Sequence, residues 1–316
     1  MMRRTREDLH LAFARLPDHR QGLIAVTAAA VLWSTGGLLI KSVSLDALGV
    51  TMWRALFAAI AIALLGRAPF PRPWKTSRLG WALALSYAAT LLLFVSGTKL
   101  TTAANAIFLQ YTAPLYALFL SAILLKERPN KVELITVAVA LGGMCLFFVG
   151  RIEPRDTAGN ACAIASGVAM ALLFVLLRMP SCTPEMRPQS MVLGNLLLVV
   201  GLGAVNLARR DAALFTPSLS DMAGLAFLGI IQIGLAYVLF GYGIARVRAV
   251  EALLIGMIEP VLNPVWVFLV LGEAPGWWAV LGGGVIVAAV AGRTIASERR
   301  AVMLPGAEFE VESVRP

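Results

Sequence analysis

At 316 residues, 59% of them hydrophobic and only 14% charged, with a mean hydropathy of +0.80, the chain is too apolar for an ordinary soluble domain, where about a quarter of residues carry charge. Its net charge of +9 does not point to nucleic acid, because the basic residues fall singly or in small groups between apolar runs and never form a stripe interleaved with aromatics. Cys145, Cys162 and Cys182 form no CxxC pair, so they read as small hydrophobes rather than a disulfide framework or metal site, and no cofactor is expected.

Residues 1–20 hold Arg3, Arg4, Arg6, Arg15 and Arg20, with Leu9, Phe13 and Leu16 at helical spacing. They read either as a basic amphipathic segment on an anionic membrane surface or as a disordered arm. The first apolar run begins near Gly22 and continues into a full span without a small-residue cleavage site, so no cleavable signal peptide is expected. Ten apolar segments follow, over about 21–40, 46–66, 79–97, 102–125, 132–150, 158–177, 189–208, 219–243, 248–271 and 276–293. Each approaches the roughly 17–25 residues that cross a ~30 Å hydrocarbon layer. The expected fold is an all-α membrane protein of ten transmembrane helices, with the least defined borders around MPSCTPEMRP (179–188) and DAALFTPSLS (211–220).

Lys and Arg in alternate connections test the orientation. With the N-terminus inside, 20 of the 27 basic residues fall on that side and six on the other, Arg54 lying within a span. The prediction is a multi-pass protein of the cytoplasmic (inner) membrane with both termini cytoplasmic.

Residues 99–150 and 245–296 align without a gap, placing Pro114 on Pro260, Glu127 on Glu273 and Pro129 on Pro275 at one offset of 146 residues. Each half of the chain that holds one copy contains five segments, and an odd number makes the second half enter the membrane from the opposite side. The matching turns carry that inversion in their charge: KERPNK (126–131) has three basic residues and GEAPG (272–276) none. Lys41 and Arg178 end segments 1 and 6 in comparable places. The expected organisation is a cytoplasmic basic segment (1–20), a first repeat (21–150), a second repeat (151–294) and a cytoplasmic tail (295–316).

VLWSTGGLLIK (31–41), Arg54 in segment 2, the paired Pro…Glu runs of segments 4 and 9, and IEPVLNPVWVFLVLGE (258–273) resemble the EamA family of the drug/metabolite transporter superfamily. The resemblance covers residues 21–293. It implies a ten-helix inverted-repeat carrier of small metabolites, and VLWST also recurs in the superfamily's aromatic amino-acid exporters.

The residues themselves lead to a similar place. A proline inside a helix removes the bond to the carbonyl four residues earlier, which frees the carbonyls of Gln110 (Pro114), Gly256 (Pro260) and Pro260 (Pro264). Broken helices are tolerated in lipid where they line a protein interior or a watery cavity. Segments 4 and 9 are therefore expected to face a central site near the midplane, with segments 1, 3, 6 and 8 as its remaining wall; the alternative is that the prolines only kink packed helices.

Glu259, near the middle of segment 9, can bind a substrate amine or carry a coupling proton, or can be a protonated carboxyl bonded to a freed carbonyl with no role in transport. Trp33 and Ser34, beside Thr35, and Tyr87 and Thr90 are candidate cavity walls, while Asn105, Tyr111, Thr112, Tyr116, Gln232, Tyr237 and Asn263 add hydrogen-bonding capacity. Arg54 can bind a carboxylate, although capping carbonyls or snorkelling to the outer interface is the favoured reading. Glu251, near the cytoplasmic end of segment 9, reads as a gate or a surface ion pair. Glu127 and Glu273 are expected to cap helix ends or pair with basic residues. The glycines at 142–143 and 282–284 lie inside spans and read as helix-packing positions.

One Arg and two Glu in the core lack the cation cluster a phosphate needs, so a neutral, zwitterionic or cationic small molecule fits better. The leading expectation is a secondary transporter exporting amino acids or similar amphipathic metabolites by alternating access; nucleosides, sugars or cationic drugs are the rival substrates, and a passive channel the rival class. An enzyme is not expected: HExxH, Gly-x-Ser-x-Gly and P-loop motifs are absent, and His10 and His19 fall outside the spans.

Overall fold

The computed structural model describes residues 15–67, 71–101, 103–147, 149–150, 156–209, 217–271 and 276–303, and among them every regular element is helical. The expected basic segment up to residue 14, residues 211–216, Glu273 with Pro275, and the tail beyond 303 lie outside the described residues, as do the side chains of Asn263 and Pro264.

Segment 1 is predicted as one span but forms two helices, α1 (Asp18–Trp33) and α2 (Gly36–Ser42). The hydroxyls of Ser34 and Thr35 donate back to the carbonyls of Val31 (2.6 Å) and Leu32 (2.7 Å), and two glycines follow. Back-bonding and glycine together weaken the helical ladder there. Helix α3 (Ala47–Leu65) starts on Asp46, whose carboxylate accepts from Gly49 N at 2.7 Å, and α4 (Arg78–Leu100) starts on Ser77.

Segments 4 and 9 break where proline dictates. Helix α5 (Ala103–Gln110) ends four residues before Pro114, and α6 (Ala113–Leu120) resumes with that proline in its first turn. Helix α12 (Ala249–Gly256) ends four residues before Pro260, and α13 (Ile258–Leu271) follows. In both cases the helix stops at the carbonyl that the pyrrolidine ring would strike. After α6 a π-helical turn, Ser121–Leu125, ends at Lys126, whose φ of 56° turns the chain toward Glu127.

Between and after them come α7 (Lys131–Phe147), α8 (Thr157–Leu177), α9 (Met186–Arg209), α10 (Leu219–Phe227), a π-helical stretch Leu228–Leu235, α11 (Ala236–Gly243) and α14 (Trp277–Met303). Among the described residues six helical stretches are long and apolar enough to cross a membrane: Ala47–Leu65, Arg78–Leu100, Asn105–Leu125, Thr157–Leu177, Met186–Arg209 and Leu219–Gly243. The other four predicted spans are helical but interrupted (segments 1 and 9), 17 residues long (α7), or apolar only over Trp277–Arg293, beyond which α14 runs on to Met303.

The helices pack in matched pairs. Helix α4 lies along α8 and α1 along α11; α5 and α6 rest on α8, and α12 and α13 on α1; α3 meets α9, and α7 meets α14. Small residues set the closest approaches. A Cβ on Gly282 would come 2.5 Å from the Gly143 carbonyl, whereas Gly142 and Gly284 face open space, so only part of each predicted glycine group works as packing. Large apolar side chains such as Leu64, Phe119, Ile123, Val200 and Leu207 are exposed, while Arg54, Asn105, Glu133, Asn195 and Glu259 are buried. A greasy exterior around a polar interior suits lipid rather than water as solvent.

Most of the ionic contacts among the described residues gather at one end of the bundle. Glu127 pairs with Arg178 (3.0 Å) and Arg248 (3.4 Å), Glu133 with Arg248 and Arg293 (3.2 Å to the latter), and Glu251 with His19 (3.1 Å). Glu133 also closes a reciprocal cap with Asn130 at the start of α7, with bonds of 3.1 and 2.9 Å. At the other end Lys41 donates to the Thr101 carbonyl (2.9 Å), Lys99 to the Val43 carbonyl (2.8 Å), and Asp221 accepts from Ser44.

Candidate functional site

Where the helix breaks meet, a cavity opens between α1, α3, α4, the end of α5, α8, the π-helical stretch with α11, and the start of α13. Leu91, Phe94, Met170 and Ile233 give it an apolar side. Trp33, Arg54, Thr90, Gln110, Gln232, Tyr237 and Glu259 give it a polar one.

The polar side is built from three separate sets of hydrogen bonds. In the first, Arg54 Nη2 donates to Gln232 Oε1 at 2.6 Å, and Gln232 Nε2 donates to the Trp33 carbonyl at 3.2 Å. That carbonyl is available because α1 ends at Trp33. Gly36 makes room for the amide: a Cβ there would sit 2.5 Å from Gln232 Nε2. Arg54 Nε and Nη1 and the Trp33 indole nitrogen are buried without a partner. In the second network the Tyr111 hydroxyl donates to Glu259 Oε2 at 2.6 Å. In the third, the side-chain amide of Gln110, at the end of α5, donates to Ser166 (2.7 Å), which donates to the Thr90 carbonyl (2.9 Å). Aromatic rings close one flank: Trp33 lies 5.1 Å from Tyr237, and Tyr87 meets Tyr237 edge-on at 4.8 Å.

Of the residues singled out by sequence, Trp33, Thr90, Gln232, Tyr237 and Glu259 line this cavity. Tyr111 stands behind Glu259, and Tyr87 behind Tyr237, its hydroxyl accepting from Asn195 Nδ2 at 2.9 Å. Ser34 accepts the indole N–H of Trp266 at 2.8 Å. Thr112 donates to the Leu109 carbonyl (2.6 Å) and lies 3.3 Å from the Tyr116 hydroxyl. Asn105 is directed elsewhere, donating to Thr101 and Asn160, so it ties α5 to the start of α8. Pro114 and Pro260 sit at the two helix breaks.

Arg54 departs from the favoured reading. It neither snorkels nor caps a carbonyl but is 3% exposed, with its guanidinium in the cavity wall. Helix α3 packs on the π-helical stretch, and Gln232 of that stretch receives the Arg54 guanidinium. Glu251 is buried against His19 rather than forming a surface pair. The sequence places neither segment 2 nor Met170 in the wall, marks Gln110 only for its carbonyl and not for its side chain, and leaves the end-network residue Glu133 unnamed. Asn130 three residues before Glu133 is a capping-box signature that marks the latter; nothing in the pattern around Met170 marks it. Among the described residues no group of three or more His, Cys, Asp or Glu is placed to hold a metal.

A second cleft lies between α3, α9 and α11, with Asp18, Arg187 and Arg246 among its lining residues. Tyr237 belongs to both the cleft and the central cavity.

A model of the EamA-like transporter family matches residues 20–149 and again 157–294. An uncharacterized transporter of Archaeoglobus fulgidus is 28% identical over 271 residues, 86% of this chain and 95% of that one. A probable terminal-alkyne amino-acid exporter of Streptantibioticus cattleyicolor is 26% identical over 297 residues, covering 89% and 97%. A solved crystal structure superposes with a TM-score of 0.70 at 21% identity, covering 88% of this chain and 98% of the other. That likeness speaks to the fold, and the sequence matches speak to membrane transport.

Proposed function

The chain belongs to the EamA-like transporter family, whose model matches both of its halves, and we propose that it is a secondary exporter of amino acids, working by alternating access between two inverted five-helix repeats. As a multi-pass membrane transporter it acts on a small molecule. The observation that carries the amino-acid reading is the central cavity, where Arg54 and Glu259 contribute opposite charges beside an apolar flank. A zwitterion with a nonpolar side chain matches that lining. A relative described as a probable amino-acid exporter, matched over 97% of its length, supports the same class.

Repeated contacts support the inverted architecture. Lys41, ending segment 1, donates to the carbonyl of Thr101 just before segment 4; Arg178, ending segment 6, donates to that of Val247 just before segment 9. Thr101 and Val247 are 146 residues apart, the offset of the proline repeat. Gly97 on α4 packs against Gly159 on α8, and Gly243 on α11, again 146 residues on, packs against Gly22 on α1. Helix pairs that exchange under a swap of the two halves, α4 with α8 and α11 with α1, fit a division near residue 150. In this reading both termini are cytoplasmic, the ionic network of Glu127, Glu133, Arg178, Arg248 and Arg293 closes the inner end, and the cleft sharing Tyr237 is the route from that side. Glu259 takes the substrate ammonium or the coupling proton.

Purified protein in liposomes, tested with labelled leucine, decides between carrier and channel. Saturable uptake accelerated by leucine on the far side supports the proposal. Flux without saturation overturns the carrier, and uptake of nucleosides or sugars with no response to any amino acid overturns the substrate.

A further inference from the structure

Resting on that amino-acid reading, we propose that Arg54, together with the indole N–H of Trp33, is a carboxylate anchor, so that the cavity takes only substrates bearing a carboxylate. Arg54 is 3% exposed and Trp33 7% exposed, and both line the cavity. The bond from Arg54 Nη2 to Gln232 fixes the guanidinium, the bond from Gln232 to the Trp33 carbonyl ties it to the backbone of that residue, and the Trp33 ring is held against Tyr237 and Phe240, with centroids 5.1 and 5.2 Å away. Yet Arg54 Nε, Arg54 Nη1 and Trp33 Nε1 have no acceptor.

Buried donors without partners are costly and uncommon in folded proteins. Three of them on two residues of one cavity, joined by Gln232 at the Trp33 backbone, form a site prepared for an acceptor that arrives from outside the chain. A guanidinium and a carboxylate form charge-assisted, often bidentate pairs, which a single carbonyl or hydroxyl cannot reproduce. A phosphate would call for further cations, and Arg54 is the one basic residue among the described residues of the lining.

Glu259 fixes the other half of the ligand. It is held by Tyr111, while the bonded nitrogen of Arg54 is held by Gln232, so the two charges belong to separate networks on the same cavity. An α-amino acid therefore binds with one polarity, carboxylate toward α3 and ammonium toward α13, leaving its side chain to Leu91, Phe94, Met170 and Ile233.

The test uses the full chain in detergent and liposomes, with the proteinogenic amino acids as first probes and then a matched set: leucine, leucinamide, 3-methylbutylamine and 4-methylpentanoate. Thermal stabilisation reads binding and displacement of labelled leucine reads the site. Leucine is expected to bind, leucinamide and 3-methylbutylamine to bind roughly tenfold or more weakly, and Arg54→Gln to lose most of the leucine response, with Arg54→Lys intermediate. Trp33→Phe, which deletes only the indole donor, is expected to weaken leucine several-fold. Leucinamide binding as tightly as leucine overturns the anchor while leaving the amino-acid reading intact. So does an Arg54→Gln protein that binds leucine normally. No response to any amino acid, together with 4-methylpentanoate binding that Arg54→Gln abolishes, supports the anchor and overturns the amino-acid reading. Silence toward amino acids and 4-methylpentanoate alike overturns both. The ligand series on the unaltered protein keeps the proposal decidable even if the Arg54 variants fail to fold.

Discussion

The two charged groups of the cavity differ in what holds them, and their variants should differ accordingly. Glu259 accepts one bond, from Tyr111. Glu259→Gln keeps the shape but removes the negative charge, and leucine uptake into liposomes should fall by about tenfold or more, since a hydrogen-bonded charge contributes ~1.5–3 kcal/mol. Tyr111→Phe, which deletes the donor and leaves the carboxylate, should lower uptake less. Unaltered uptake by Glu259→Gln would leave this residue a structural role alone. Much of this wall was legible in the sequence: a Glu beside a proline in a span is costly enough to need a reason, and Gln232 and Tyr237 are polar in otherwise apolar runs. The direction of Arg54 was not legible. Helix α3 is apolar on every side, so no stripe distinguishes the face toward the cavity from the face toward lipid.

At the scale of elements, breaks and close contacts decide the geometry. Both proline breaks could be read from the i−4 clash, and both fall at the expected carbonyls of Gln110 and Gly256. The break after Trp33 and the π-helical turns could not, because they arise from side-chain back-bonding and tertiary packing rather than from a residue that forbids helix. Helix packing gives a matched test within α14. A Cβ on Gly282 would lie 2.2 Å from Phe147 N, whereas one on Gly284 meets nothing within 4 Å. Gly282→Ala should destabilise the protein by about 1–3 kcal/mol through overpacking, and Gly284→Ala should be neutral or slightly stabilising. Thermal unfolding of the two variants checks this, and equal melting would mean that α7 and α14 do not pack as described.

For the whole molecule, the ionic network couples the halves at one end. The Glu133 side chain is 1% exposed and faces Arg248 and Arg293, while that of Glu127 is 25% exposed. Glu133→Ala takes the carboxylate from the buried Arg293 and one of two from Arg248 and should cost about 3–5 kcal/mol, against about 0–1 kcal/mol for the more solvated Glu127→Ala; chemical or thermal denaturation ranks them. The repeat itself was the most legible feature of all, because three residues recur at one spacing; what packs on what required coordinates, since apolar spans carry little facing information. The inverted threading is most directly tested by where the connections emerge. With Cys145, Cys162 and Cys182 replaced, single cysteines at Asn130 and at Asp156 can be challenged in intact cells with a membrane-impermeant thiol reagent. Labelling of Asp156→Cys but not of Asn130→Cys until the cells are opened is the expected result; labelling of both positions from the same side would contradict two five-helix units of opposite sense.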